Sequence, residues 1–202
     1  MVNEPTVTMG GPPPGWAMDA VEGPWVVVLA YDPGETTGWA CYRTSVSLLR
    51  TEGTRRALAR STWALGQVRA SPEAWRVGQW VSDNVDRMLA AGRWCYEEMM
   101  QDEDTWAFVY EGFRLRERSS EESLLAPVKV ASVWKDRLRD VKLPVFEQLS
   151  SGPLYTVSDR RLQEWCMYRK DSGVHARDAQ RHAIHFLRRL ASEARLREEL
   201  GL

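Results

Sequence analysis

Two uninterrupted apolar runs dominate the pattern of hydrophobic and polar positions along the chain. Residues 25–31 read Trp-Val-Val-Val-Leu-Ala-Tyr and residues 106–110 read Trp-Ala-Phe-Val-Tyr, which is typical of strands buried on both faces of a sheet. A carboxylate follows each run, Asp32 after the first and Glu111 after the second. The pattern therefore predicts two acidic side chains at the ends of two buried strands.

The rest of the pattern predicts further strands and helices. Strands are expected at residues 38–42, 61–68 and 143–147, and helices at 71–91, 120–138 with an interruption near Pro127, 158–170, and from 173 or 174 to about 200. The strands at 25–31 and 38–42, which are separated by a short turn, are expected to form an antiparallel hairpin. This order predicts an α/β fold, a mixed β-sheet flanked by helices, whose sites usually lie at the carboxyl ends of strands.

Length and composition favour one globular domain. The chain has 202 residues, of which 44% are hydrophobic and 27% charged, enough for a sizeable core. Residues 1–23 contain a glycine- and proline-rich stretch and no apolar periodicity, so we expect a flexible N-terminal tail there and the folded domain over residues 24–202.

The cysteine content and the hydropathy of the chain indicate the cellular compartment of the protein. The three cysteines Cys41, Cys95 and Cys166 are widely spaced and odd in number, which speaks against a zinc motif or a disulfide framework and favours a reducing cytoplasm. The longest apolar run, residues 25–31, is too short to span a bilayer, and no signal peptide is evident. We therefore expect a cytoplasmic protein with no membrane contact.

The C-terminal helix contains the largest group of candidate functional side chains. At 100° per residue, Asp171, His175, Asp178, His182 and His185 fall within an arc of roughly 80° beside an apolar face. A solvated polar stripe is the alternative interpretation. Together with Asp32 and Glu111, the stripe supplies an oxygen-rich set with an imidazole, which suits Mg²⁺ or Mn²⁺ better than zinc. Two such ions can activate a water molecule and stabilise the leaving oxygen of a phosphodiester.

Four segments resemble the motifs of a known family, the RuvC Holliday-junction resolvases, which have the RNase H-like fold. The resembling segments are Val-Leu-Ala-Tyr-Asp-Pro-Gly-Glu-Thr-Thr-Gly-Trp-Ala at 28–40, Phe-Val-Tyr-Glu at 108–111, Leu-Pro-Val-Phe-Glu at 143–147 and His-Ala-Arg-Asp-Ala at 175–179 with Ala183. The resemblance covers about residues 25–190, in order. The compact, arginine-rich chain looks like the phage-encoded branch of the family.

The resemblance implies a set of catalytic and metal-binding residues. Asp32, Glu111 and Asp178 would be the metal-binding carboxylates. His175 takes the variable fourth position, where a neutral imidazole binds metal or helps to position the attacking water. The implied cofactor is Mg²⁺, with Mn²⁺ as a substitute and two ions per site.

A DNA-contacting segment is expected after the second acid. Phe113 is the nearest candidate for the family's DNA-probing aromatic, although an aromatic side chain near a strand end is more often core. Arg114, Arg116 and Arg118 resemble a phosphate-binding loop, and a solvated charge run is the alternative.

Net charge alone does not indicate a nucleic-acid partner, but its distribution is uneven. The chain has 27 basic and 28 acidic residues, for a net charge of −1. Residues 43–70 hold six arginines and one glutamate (+5), residues 158–189 hold eight basic and four acidic side chains (+4), and residues 71–111 hold three basic and nine acidic side chains (−6). The basic segments adjoin the predicted carboxylates, as a DNA channel requires.

These features lead to the hypothesis of a Mg²⁺-dependent, structure-selective endodeoxyribonuclease that resolves four-way junctions or other branched DNA, in a bacterial host cytoplasm if the chain is phage-encoded. Symmetric cutting of a junction implies a homodimer. The alternatives are a flap or replication-fork endonuclease of the same fold, a non-catalytic junction-binding protein, and an actin-like phosphotransferase. The last is suggested by residues 32–37, but the expected second glycine-rich motif is missing.

Overall fold

The computed structural model describes residues 6–11, 23–99, 101, 103–112, 122–139, 144–149 and 151–202. Within these residues the strands are β1 (Thr6–Gly10), β2 (Trp25–Asp32), β3 (Thr36–Ser45), β4 (Thr62–Arg69), β5 (Thr105–Gly112) and β6 (Val145–Leu149). The helices are α1 (Val46–Thr51), α2 (Thr54–Ala59), α3 (Pro72–Arg76), α4 (Trp80–Met99), α5 (Glu122–Leu138), α6 (Ser151–Thr156), α7 (Asp159–Glu164), α8 (Val174–Ser192) and α9 (Ala194–Glu199), and a short 3-10 helix covers Lys170–Ser172.

All six strands join one mixed sheet in the order β1-β4-β3-β2-β5-β6. β1, β4, β3 and β2 pair antiparallel in that order, whereas β2, β5 and β6 are parallel. The predicted hairpin is confirmed, and it places Asp32 opposite Gly38. Because β2 and β5 run in the same direction, their carboxyl ends lie at the same edge of the sheet.

Helices cover both faces of the sheet, which explains the continuous apolar runs. Along β2, Val26, Val28 and Ala30 belong to a core shared with α8, and the alternate positions Val27 and Leu29 belong to a core shared with α4 and α5. All five of these side chains are fully buried. The predicted α/β class, a mixed sheet flanked by helices, is confirmed.

The first predicted helix is divided by a glycine. The segment expected to be helical from Ser71 to about Ala91 forms α3 and α4, because Gly78 adopts a φ of 73° between them. α4 then continues to Met99, passing Gly92 without interruption. A Cβ at Gly92 would lie 2.9 Å from the Tyr31 hydroxyl, so the glycine lets the helix pack closely on β2.

The later helices also differ in their boundaries from those predicted. α5 runs through Pro127 without a break, and the helix expected over 158–170 ends at Glu164, shortly before Cys166 adopts a φ of 58°. The last predicted helix is split at Glu193, whose backbone is extended between α8 and α9.

The prediction of a flexible tail over residues 1–23 is wrong for Thr6–Gly10, which form the edge strand β1. β1 pairs antiparallel with β4, and Val7 packs against the core. Gly10 is required there because a Cβ would meet the Trp63 ring. The folded part of the chain therefore includes a strand ahead of residue 24. Across the part of the chain that the structure describes, no helix combines the length and apolarity needed to cross a membrane.

Candidate active site

The two strand-end carboxylates predicted from the sequence are neighbours in the structure. Tyr31 pairs with Tyr110 in the parallel register of β2 and β5, so the following residues, Asp32 and Glu111, stand side by side at the edge of the sheet. Asp32 is only 9% exposed. Two acidic groups are thus held together at a largely buried position.

The first turn of α8 brings a histidine onto this edge. His175 Nδ1 lies 2.8 Å from Asp32 Oδ2. The approach depends on Gly38 in β3, because a Cβ on that residue would lie 1.9 Å from the His175 carbonyl oxygen. The close contact between β3 and α8 therefore sets the position of the imidazole beside Asp32.

Asp178 follows one turn later on the same helix, and an arginine orients it. The Arg181 guanidinium donates to Asp178 Oδ1 and to Asp159 Oδ1, and its Nε donates to the Val157 carbonyl at 3.1 Å. Arg181 is buried. This network joins the start of α7 to the site and fixes one oxygen of the Asp178 carboxylate.

Burial and mutual contacts shift the pKa values of the site residues. Burial raises the pKa of Asp32 to about 7; the hydrogen bond from His175 opposes this shift, and the adjacent Glu111 carboxyl adds to it. Burial also raises the pKa of Asp178, against the attraction of Arg181. The hydrogen bond to Asp32 raises the pKa of His175. Such mutually perturbed groups in a cleft are typical of functional sites, and these favour a bound positive charge.

These groups open onto a cavity of about 380 Å³. Its lining comprises Asp32, Pro33, Gly34, Glu35, Thr36, Glu111, Ala126, Pro127 and His175. The turn after β2 therefore forms one wall and α5 the other, and three of the four predicted catalytic side chains line the space between them.

A buried amide that the sequence interpretation missed holds the turn in place. Asn84 of α4 is fully buried and donates from Nδ2 to the carbonyls of Gly34 and Glu35 at 2.9 and 3.0 Å. Its spacing of four residues from the core positions Trp80 and Met88 was the available signal, since a polar residue on a buried helical stripe needs partners.

Asn84→Asp is expected to destabilise the fold by about 2–4 kcal/mol, because it removes two donors and places a carboxylate against two carbonyl oxygens. Urea denaturation measures this. Asp86→Asn, an amide exchange at an exposed position of the same helix, is the matched control and should change the free energy of unfolding by less than about 0.5 kcal/mol. Equal stability of Asn84→Asp and the wild type would contradict the role given to Asn84.

The donor set is suited to a divalent cation. Three carboxylates are hard oxygen ligands of the kind that Mg²⁺ and Mn²⁺ accept, and His175 adds one imidazole. Burial is the main cause of the raised pKa values of Asp32 and Asp178, and the neighbouring Glu111 carboxyl adds to both. Among the described residues, no three His, Cys, Asp or Glu side chains are arranged around one point as metal ligands are. Each acid instead contacts a neighbour, as Asp32 does with His175 and Asp178 with Arg181.

The structure brings the four predicted catalytic and metal-binding residues, Asp32, Glu111, His175 and Asp178, to one edge of the sheet. Their assignment as metal ligands stays a prediction. The predicted DNA-binding residues Phe113, Arg114, Arg116 and Arg118 lie outside the described residues.

The comparisons with known proteins concern the fold. The sequence matches no protein-family model and no curated protein. One similar solved structure is Thermus thermophilus RuvC, with a TM-score of 0.51, 13% sequence identity, and coverage of 87% of this chain and 97% of that chain. Another is T. thermophilus RuvC in complex with Holliday junction substrate, with a TM-score of 0.48, 14% identity, and coverage of 87% and 96%. The chain has a RuvC-like, RNase H-like α/β fold.

Proposed function

We propose that this chain is a Mg²⁺-dependent, structure-selective endodeoxyribonuclease that cuts branched DNA, with the four-way junction as its preferred substrate. The observation that carries the proposal is the meeting of Asp32, Glu111, His175 and Asp178 from three separate elements at the carboxyl edge of one sheet. Clustered carboxylates of this kind are suited to phosphodiester hydrolysis. The RuvC-like fold and the motif resemblance support the same assignment.

The residues that would hold the cations are Asp32, Glu111 and Asp178, with His175 as the fourth group. Two divalent cations held there would supply the activation of water and the stabilisation of the leaving oxygen of the phosphodiester. Burial, and to a smaller extent repulsion from Glu111, raise the pKa of Asp32 and of Asp178, and a bound cation would offset that repulsion.

The chain's own residues orient the reacting groups. His175 lines the cavity and uses Nδ1 for its hydrogen bond with Asp32, which leaves Nε2 as the ring atom for a cation or the attacking water. Asn84 holds the turn after β2 that forms one wall of the cavity. Arg181 fixes the Asp178 carboxylate and, being bonded to Asp159 as well, keeps it at the edge of the sheet.

The charge distribution is consistent with DNA approaching the α8 side. α8 lies on one face of the sheet, and α4, which carries four acidic and two basic side chains, lies on the other. Residues 158–189, which include α7 and α8, carry a net charge of +4, from eight basic and four acidic side chains. A phosphate backbone would therefore meet its cationic contacts on the face that bears His175 and Asp178.

Symmetric cutting of a four-way junction places two active sites on one substrate, so the proposal includes a homodimer. A flap or replication-fork endonuclease with the same catalytic site is the competing assignment, and substrate preference separates the two.

The wild-type protein is expected to cut a four-way junction in Mg²⁺ at least about 10-fold faster than a flap, a fork or linear duplex of the same sequence, a preference of about 1.4 kcal/mol in the transition state. Single-turnover rates on the four labelled substrates, with EDTA controls, measure this. Equal rates on all four would contradict junction selectivity, and cutting of the flap or fork alone would support the competing assignment.

A further inference from the structure

A second histidine on α8, which is not one of the four predicted catalytic residues, contacts a side chain of the site. His182 lies one turn beyond Asp178 and is 2% exposed. Its Nε2 is 3.4 Å from Glu111 Oε2, and its Nδ1 is 3.2 Å from Gln148 Oε1. Both ring nitrogens of a buried imidazole are therefore directed at polar partners, one of which is a strand-end carboxylate.

The pairing of β5 and β6 places these partners. Glu111 and Gln148 are opposite each other in the parallel register, so both side chains project from the same face of the sheet. α8 packs on that face, as the rings of Phe186 and Phe146 show, whose centroids lie 4.9 Å apart. His182 is thus placed between two neighbouring strand ends by the packing of the helix.

For a neutral His182 ring, the count of protons selects one arrangement of this group. With the amide of Gln148 as oriented, His182 Nδ1–H donates to Oε1. A neutral ring then presents the Nε2 lone pair to the Glu111 carboxylate, while the buried Gln148 Nε2 has no hydrogen-bond partner. A half-turn of the amide, whose oxygen and nitrogen are assigned from the network, lets Nε2 of Gln148 donate to Nδ1. His182 then carries its proton on Nε2 and donates it to Glu111.

We propose that His182 is a positioning residue for Glu111: it donates Nε2–H to the carboxylate, and Gln148 fixes the ring tautomer. Glu111 stands beside the buried Asp32 carboxyl, so a donor on its other side holds it in place against repulsion. Hydrogen bonds from buried neighbours orient metal ligands in this way. The proposal rests on the proposed function in taking Glu111 as a cation ligand.

Two isosteric substitutions separate the two ring nitrogens. The side-chain amide of His182→Gln reaches the position of Nε2 and retains a donor to Glu111, whereas that of His182→Asn reaches only the position of Nδ1. Titration with Mn²⁺ alone, followed by electron paramagnetic resonance of the free ion, should show about 10- to 100-fold weaker binding in His182→Asn and less than about 3-fold change in His182→Gln. Equal affinities in both variants and the wild type would overturn the proposal, as would equal losses in both.

The tautomer of His182 can be measured in the wild-type protein, so this second test does not depend on the folding of any variant. Long-range proton–nitrogen correlation NMR of the histidine rings, without added metal, is expected to show His182 protonated on Nε2 and bare on Nδ1. A proton on Nδ1 would overturn the proposal. If the ring carries its proton on Nε2 while the wild type neither binds Mn²⁺ nor cuts DNA, the contact stands and the proposed function fails.

Discussion

Asp32→Asn is expected to reduce junction cleavage by on the order of 10³-fold or more while making the metal-free protein more stable. The loss of activity follows from removing a charged ligand at the centre of the cluster, an effect of several kcal/mol on the transition state. The gain in stability follows from burial, which is the main cause of the raised pKa of Asp32. An amide at this position keeps the shape and can still accept a hydrogen bond from His175, but it carries no charge.

The stability gain depends on pH in a direction that can be worked out. The pKa of Asp32 is raised from 3.8 to about 7 on folding, so the folded state binds this proton more tightly than the unfolded state. The wild type therefore loses stability as pH rises between these values, and the asparagine variant does not. The stability difference between the variant and the wild type should be greatest above about pH 7 and should shrink towards about pH 4.

Thermal unfolding in EDTA across this pH range measures the difference, and Asp86→Asn is again the exposed control. Added Mg²⁺ should raise the melting temperature of the wild type but not that of Asp32→Asn, because a ligand that binds only the folded state stabilises it. A variant that is less stable than the wild type at about pH 8 would contradict the electrostatic account of the site.

Gly38→Ala is expected to damage both stability and activity, although it adds only one methyl group. The new Cβ would lie 1.9 Å from the carbonyl oxygen of His175 and 2.6 Å from the Ala176 nitrogen. Both are backbone atoms, so the first turn of α8 must move. A displacement of about 1 Å at a catalytic group costs about 10²-fold in rate, and overpacking of this kind costs about 1–3 kcal/mol in stability.

Urea denaturation and single-turnover cleavage test the two effects together. The matched control is Gly11→Ala, since among the described residues nothing beyond its chain neighbours lies within 4 Å of a Cβ built at Gly11. Wild-type stability and activity in Gly38→Ala would show that α8 does not depend on close contact with β3 for its position.

The parts of the fold that could be predicted are those with long, strongly patterned segments. The continuous apolar runs of β2 and β5 are explained by helices on both faces of the sheet. Asp32 and Glu111 could be paired in advance because both follow such runs. His175 and Asp178 could be grouped because they share one face of a long helix, α8.

The parts that could not be predicted depend on tertiary contacts of short segments. β1 is a five-residue edge strand next to a glycine- and proline-rich stretch, and its pairing with β4 is invisible in local sequence. α1 and α2 are six residues each, too short for a periodic signal to develop. Asn84 and Gln148 are single polar residues whose partners come from other elements.

Under the proposed function, the carboxylates at the edge of the sheet form the cation site of a nuclease. The most direct test is the single-turnover rate of four-way-junction cleavage in Mg²⁺ by the wild type, Glu111→Gln and Glu97→Gln, the last being the same exchange at an exposed position of α4. Glu111→Gln should be slower by on the order of 10³-fold, and Glu97→Gln should stay within about 3-fold of the wild type. Cleavage by Glu111→Gln at the wild-type rate would contradict the claim.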